Sequence, residues 1–176
     1  MRIIAGTLGG RNFDSKSQAT HPMSEKMRGA LFNVLGDIDG LKVLDCFAGS
    51  GAIGFEAISR GAKSATAIES NKFAQIDIAS NIDTLGLIKQ VKLVKTTINT
   101  WVENNKDVKF NIIVCDPPYD KLQFDSIVAL ETNLTNKGIF VLSLPPKVTL
   151  PQFKNLEMLN NKDYGDSRLV FYRNKQ

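Results

Sequence analysis

The chain has 176 residues and a formal net charge of +4, enough for one domain with a full α/β core and too short for that core plus a separate recognition domain. Hydrophobic residues make up 43% and charged residues 23%, a globular balance that excludes disordered, collagen-like and coiled-coil classes. Two cysteines and one histidine exclude a disulfide scaffold and argue against a metal site; no apolar run reaches a membrane span and the N-terminus lacks an export segment, so a reducing cytoplasm is the expected compartment.

Charge is uneven along the chain. Residues 1–30 and 145–176 each carry +3 and the middle carries −2. That pattern fits an anionic partner gripped from the termini, and equally two solvated ends. At the N-terminus, Arg2-Ile-Ile-Ala-Gly and Arg11-Asn-Phe-Asp flank Gly9-Gly10 and read as a short hairpin. Residues 15–22 are polar and end on a proline, hence a loop. Ser24 is a candidate N-cap, followed by Met27, Ala30, Leu31, Val34 and Leu35 at the spacing of an amphipathic helix. Lys26 and Arg28 fall off that stripe, toward solvent or a ligand.

From residue 41 strands and helices alternate. Strands are expected over residues 43–47, 65–68, 91–94, 110–115 and 138–144. Helices are expected over 51–60, 71–85, 99–104 and 122–134. Two strand-like runs at 156–159 and 169–172 suggest an antiparallel hairpin closing one sheet edge. Alternation implies parallel pairing through right-handed crossovers. The expected architecture is a single doubly wound, Rossmann-like α/β sheet whose ligand lies at the carboxyl ends of the strands. The hairpin and helix of residues 1–40 form an extension continuous with the domain of residues 41–176. Cys46 and Cys115 read as small buried hydrophobes, and Trp101 and the phenylalanines as core.

The first chemical constellation is Asp45-Cys-Phe47-Ala48-Gly49-Ser50-Gly51-Ala-Ile-Gly54, at a strand-to-helix turn. Gly49, Gly51 and Gly54 satisfy G-x-G-x-x-G, with Glu69 and its neighbour Ser70 at the end of the next strand, where a carboxylate can accept from ribose hydroxyls. NAD is the first ligand such a loop suggests. Asp45 opposes it, because a carboxylate before the loop repels a pyrophosphate and suits a cation. S-adenosylmethionine carries an ammonium and a sulfonium and no phosphate.

The second is Asp116-Pro117-Pro118-Tyr119, after the fourth strand. Two prolines fix the backbone and remove two donors, so the loop displays carbonyls. Asp116 and the Pro117 carbonyl make an acceptor pair for the two hydrogens of an exocyclic amine, and Tyr119 offers a stacking face. Holding both hydrogens turns the nitrogen lone pair toward a methyl donor, and the carboxylate favours the positive charge that develops on nitrogen. A flipped base would recover about 1–3 kcal/mol by stacking.

With both constellations in hand, the sequence resembles the class I S-adenosylmethionine-dependent methyltransferases, and among them the RsmD-type bacterial enzymes that methylate guanine N2 in small-subunit (16S) rRNA. The resemblance covers nearly the whole chain: R-I-I-A-G from Arg2, S-E-K-M-R-G-A-L-F-N-V-L from Ser24, the glycine loop and its helix, D-P-P-Y, and Y-G-D-S from Tyr164. It implies that residues 47–51 line the methionine end of the cofactor, that Glu69 holds the ribose, and that residues 116–119 hold the guanine amine. It also implies a wholly or partly assembled small subunit as substrate, with no membrane or metal partner. Three stretches depart from the family pattern. His21-Pro22-Met23 replaces an R-P-T run. Lys95-Thr96-Thr97 stands where an acidic residue faces the adenine, leaving Thr97 as the hydrogen-bonding candidate. Ser143-Leu144-Pro145-Pro146-Lys147 matches nothing in the pattern and receives no role. Arg11, Lys26, Arg28 and Arg168 are the candidate phosphate contacts. Two other readings remain open: a DNA adenine-N6 methyltransferase with the same pocket chemistry, and a non-catalytic nucleic-acid-binding module on this scaffold. A monomer is sufficient for each of them.

Overall fold

The computed structural model describes residues 1–15 and 23–176; His21-Pro22 and most of the loop expected at 15–22 lie outside the described residues. Five parallel strands, β1 (Lys42–Asp45), β2 (Ser64–Glu69), β3 (Val91–Lys95), β4 (Phe110–Cys115) and β5 (Leu134–Leu144), are followed by β6 (Leu156–Tyr164) and β7 (Ser167–Asn174). They form one seven-stranded sheet in the order β3-β2-β1-β4-β5-β7-β6. β7 runs antiparallel between β5 and β6. The helices are α1 (Glu25–Leu35), α2 (Ala52–Ser59), α3 (Lys72–Thr84), α4 (Ile98–Asn104) and α5 (Phe124–Ala129), the last continued by a 3-10 turn at Leu130–Asn133.

The central strands are apolar on both faces because both faces are covered. Val43, Ile112, Val141 and Phe171 point toward α1–α3 and pack with Leu31, Phe55 and Ile78. Leu44, Ile113, Phe140 and Val170 point the other way, against Trp101, Ile127 and Leu130. Helix starts are fixed by side chains that accept from first-turn amides: Ser24 from Met27 (3.2 Å), Asn71 from Phe73 (2.9 Å) and Thr97 from Thr100 (3.3 Å), each worth about 0.5–2 kcal/mol. Strand order reverses between β1 and β4, which places a crevice at their carboxyl ends.

The N-terminal hairpin is present as a short antiparallel pairing: Arg2 bridges Asn12, the Ile3 amide donates to Arg11 (2.9 Å), the Phe13 amide to Met1 (2.9 Å) and the Gly10 amide to Ile3 (2.8 Å). Side chains of the domain fasten the segment as well: Glu56 accepts from the Ile4 and Ala5 amides (2.8 and 3.2 Å), and Asn81 exchanges two hydrogen bonds with the Asp14 backbone (2.7 and 3.0 Å). Two local expectations are corrected here. The helix at 122–134 is shorter, because β5 starts at Leu134 rather than near 138. Phe73 is 71% exposed and not core.

The buried face of α1 is Met27, Arg28, Leu31 and Phe32, a stripe of the same period rotated from the expected one. Arg28 is therefore fully buried and contacts no phosphate. Its Nη2 donates to the Arg2 carbonyl at 2.6 Å and its Nε lies 3.6 Å from the buried Glu56 carboxylate. Burial lowers its affinity for its proton, which Glu56 opposes.

Candidate active site

The loop after β1 is tied to both neighbouring strands: the Cys46 amide donates to Val114 (3.0 Å) and the Ala48 amide to Ile68 (2.9 Å). Glu69, at the end of β2, accepts from the Gly49 amide at 2.7 Å and the Asn71 amide at 2.6 Å. One carboxylate thus fixes the glycine loop against the start of α3 and keeps lone pairs for a ligand.

Gly51 caps α2 in the left-handed region (φ 80°), and a Cβ there would lie 2.7 Å from the Phe55 ring. Phe55 cannot swing away, since Phe13 packs edge-on against it at 5.2 Å. Gly54 is different: an added Cβ would meet only Ala65 Cβ, at 3.6 Å, an ordinary contact. The third glycine is therefore not required for helix–strand approach. Gly51→Ala is expected to cost about 1–3 kcal/mol in urea unfolding, whereas Gly54→Ala in the helix is expected to stabilise by about 0.5–1 kcal/mol. Equal effects in the two variants would contradict this division of labour.

A cavity of about 960 Å³ opens at the carboxyl ends of the strands. It brings together most of the candidates: Phe47, Ala48, Gly49, Ser50, Glu69, Ser70, Thr97 and residues 116–119 all line it. Asp45, Gly51 and Gly54 are absent from its wall. Asp45 is fully buried beneath the loop. Burial, then Asp116 and Glu69, raise its carboxyl to about 8, and the Gly54 and Phe47 amides oppose the rise. The expectation of a carboxylate touching a cation is corrected: Asp45 reaches a ligand only through the loop it underlies.

Asp116 lies at the end of β4, and burial raises its carboxyl to about 6 while a hydrogen bond from Ser143 opposes the rise. The Pro118 carbonyl closes a turn on the Lys121 amide (2.9 Å), which holds the loop. The Tyr119 hydroxyl lies 3.0 Å from Ser143 and donates to Ser167 at 2.8 Å, so its ring is fixed at the cavity mouth, 38% exposed.

Two walls escaped the sequence reading. One is the start of α1, with Met23, Ser24 and Met27; the other is the β6–β7 turn, with Tyr164, Asp166 and Ser167. The second follows from topology alone. Because β7 runs antiparallel to β5, the turn before it must sit at the carboxyl end of β5.

The four phosphate candidates separate. Arg28 is buried. Arg11 donates to the Thr84 and Leu85 carbonyls at the far end of α3 (3.1 and 3.4 Å), about 20 Å along the helix from cavity-lining Asn71. Arg168 borders the hairpin turn but is paired with Asp163 at 3.0 Å. Lys26 stays exposed beside the α1 wall. Cys46 and Cys115 are free and buried, and burial followed by Cys115 pushes the Cys46 thiol up. Among the described residues, no group of three or more His, Cys, Asp or Glu side chains is placed to hold a metal ion, and no helix is long and apolar enough to cross a membrane.

A family model described as conserved hypothetical protein 95 matches residues 1–173. Ribosomal RNA small subunit methyltransferase D of Escherichia coli K12 is 35% identical over 136 residues, 76% of this chain and 68% of that protein. YlbH of Bacillus subtilis is 28% identical over 183 residues, 99% of this chain and all of its own. The solved structure of Escherichia coli yhhF is 30% identical and superposes with a TM-score of 0.90 over 100% of this chain and 99% of that one. With the family model matched over residues 1–173 and a relative 35% identical over 76% of its length, the chain belongs to the conserved hypothetical protein 95 family, that of the RsmD-type ribosomal RNA methyltransferases.

Proposed function

We infer that the protein transfers a methyl group from S-adenosylmethionine to the exocyclic N2 amine of a guanine in small-subunit (16S) rRNA. The observation that carries the reading is the single cavity joining the glycine loop to Asp116-Pro117-Pro118-Tyr119. Its charge selects the cofactor class. Among the described residues, Glu69, Asp116, Asp120 and Asp166 line it against Lys121, a wall that repels a dinucleotide pyrophosphate and suits a ligand bearing an ammonium and a sulfonium. Phe47 to Ser50 would hold the methionine end, Glu69 and Ser70 the ribose, and Thr97 the adenine edge. The bound cofactor supplies an electrophilic methyl group.

The chain's own residues do the rest. Asp116 and the Pro117 carbonyl accept the two amine hydrogens and orient the nitrogen. The Asp116 carboxylate stabilises the charge that develops there and takes the proton the amine loses. Tyr119 stacks on the extruded base, and Pro118 keeps the loop rigid.

The RNA grip is reassigned from Arg11 and Arg28 to the exposed lysines around the cavity: Lys26 on α1, Lys72 at the start of α3, Lys95 at the end of β3, and Lys121 in the D-P-P-Y loop. Removing Lys26 or Lys121 is expected to flatten the salt dependence of rRNA binding by about one ion each, while Arg11→Ala leaves it unchanged. An altered slope in Arg11→Ala would contradict that placement. One chain carries the whole cavity, so a monomer working on ribosomal subunits in the cytoplasm suffices. Radiolabelled methyl transfer to unmodified small subunits, set against duplex DNA, separates this reading from an adenine-N6 DNA methyltransferase. Calorimetry with S-adenosylmethionine separates it from a non-catalytic binding module.

A further inference from the structure

We propose that Ser143 is a positioning residue of the methyl-transfer site, holding the Asp116 carboxyl and the Tyr119 ring in one geometry through a chain of hydroxyls that ends in the C-terminal hairpin. The proposal rests on the reading above for its chemistry. Its geometry stands independently.

Ser143 is the one polar residue in the stretch Ile-Phe-Val-Leu-Ser-Leu of β5, residues 139–144, and it is fully buried. A buried hydroxyl without partners costs free energy, and this one has two on the catalytic loop. The β4–β5 register, with Cys115 opposite Leu142, puts Ser143 beside Asp116, and its interaction there favours the ionised carboxyl. It also lies 3.0 Å from the Tyr119 hydroxyl, which in turn is 2.8 Å from Ser167. Ser167 reaches Asp166 only weakly, at 3.4 Å. Strand pairing sets the distances: β5 lies between β4, whose end carries Asp116, and β7, whose start carries Ser167.

Each hydroxyl holds a single proton, so the chain has a direction. While Ser143 donates to an ionised Asp116, its contact with Tyr119 is completed by the Tyr119 proton; while Tyr119 donates to Ser167, that contact is completed by the Ser143 proton. The charge of the amine acceptor and the anchoring of the stacking ring are therefore set together. Other ionisable groups around Asp116 do not supply this link. Asp45 faces it from β1 with its carboxyl raised by burial, and Cys46 on the same side is a buried thiol that burial pushes up. Glu69 from β2, Tyr164 and Asp166 from the hairpin, and Asp120 and Lys121 from the loop share the cavity wall.

The test uses the full chain and its Ser143→Ala, Tyr119→Phe and Ser167→Ala variants. Carbon-13 NMR follows the Asp116 carboxyl through a pH titration without cofactor or RNA, and a pH profile of rRNA methylation runs beside it. In Ser143→Ala the Asp116 midpoint is expected to rise by about one pH unit, and the acid limb of activity to move with it. Tyr119→Phe keeps the ring and loses both anchors; its KM for rRNA is expected to rise about tenfold. Ser167→Ala is expected to show a smaller rise of the same kind. A purely structural serine would lower the melting temperature and leave the midpoint in place. An unchanged Asp116 midpoint in Ser143→Ala with an unchanged KM in Tyr119→Phe overturns the proposal. If Ser143→Ala does not fold, wild-type KM in both Tyr119→Phe and Ser167→Ala overturns it alone. A midpoint that moves in a protein showing no transfer to rRNA refutes the functional reading while the link between Ser143 and Asp116 stands.

Discussion

Asp116→Ala is expected to lower methyl transfer by about 10³-fold or more while S-adenosylmethionine binds within a few-fold of wild type. The magnitude is that of removing one preorganised group aimed at charge developing in the transition state. Here the loss is compounded, because Asp116 is also half of the pair that holds the amine. Cofactor binding survives because the contacts assigned to it lie on other elements: the loop after β1, Glu69 at the end of β2, and Thr97 after β3. Isothermal titration with the cofactor and single-turnover transfer to small subunits separate the two quantities. Asp116→Ala also removes one of the charges that raise Asp45, so the Asp45 midpoint is expected to fall. In the wild type, burial raises the Asp116 carboxyl to about 6. Activity that needs the carboxylate is therefore present above that pH and lost as pH falls through it, a direction that a group with a depressed midpoint would show only at far lower pH.

The second large effect concerns stability. Glu56→Ala is expected to cost about 3–5 kcal/mol in urea unfolding, the range for removing one partner of a buried ion pair. Glu56 is fully buried, accepts from three donors, the Ile4 and Ala5 amides and Arg60 Nε at 2.7 Å, and forms an ion pair with Arg28 Nε at 3.6 Å. Its removal strands the Arg28 guanidinium in a site that already disfavours the charge and unfastens the N-terminal segment. The double variant Arg28→Met with Glu56→Gln removes both charges and keeps one side-chain acceptor for the two amides, so it is expected to recover part of the loss. A cost below about 1 kcal/mol for Glu56→Ala would show that Ile3 and Phe13 packing and the Asn81 hydrogen bonds hold the N-terminal segment without Glu56.

The parts of this site that were readable from the sequence are those whose geometry is local. A strand, a glycine turn and a helix are consecutive in the chain, so Gly49 and Glu69 could be assigned from spacing. The four residues of D-P-P-Y carry their own rigidity. Other features depend on partners distant in sequence. Arg28 looked solvent-facing because Met27, Ala30, Leu31 and Val34 make one helical stripe, while Met27, Arg28, Leu31 and Phe32 make another of equal period. Only Glu56, 28 residues on, decides between them. Asp45 was read one step too close to the ligand, since spacing fixes its place on β1 but not that its side chain turns under the loop. Ser143 had no motif to announce it. Its role emerges from β7 lying beside β5, which brings Ser167 and Tyr119 to the same hydroxyl. The N-terminal hairpin was legible because its pairing is local, while the Glu56 and Asn81 side chains that dock it on the domain come from distant parts of the chain.

The central claim is most directly tested by incubating the purified protein with methyl-labelled S-adenosylmethionine and unmodified small ribosomal subunits, then digesting the rRNA and identifying the labelled nucleoside by mass spectrometry. The account predicts label in N2-methylguanosine at a single 16S position, with none in duplex DNA and none from the Asp116→Ala variant. Label in N6-methyladenine, or no transfer to the subunits by a protein that binds the cofactor, would contradict it.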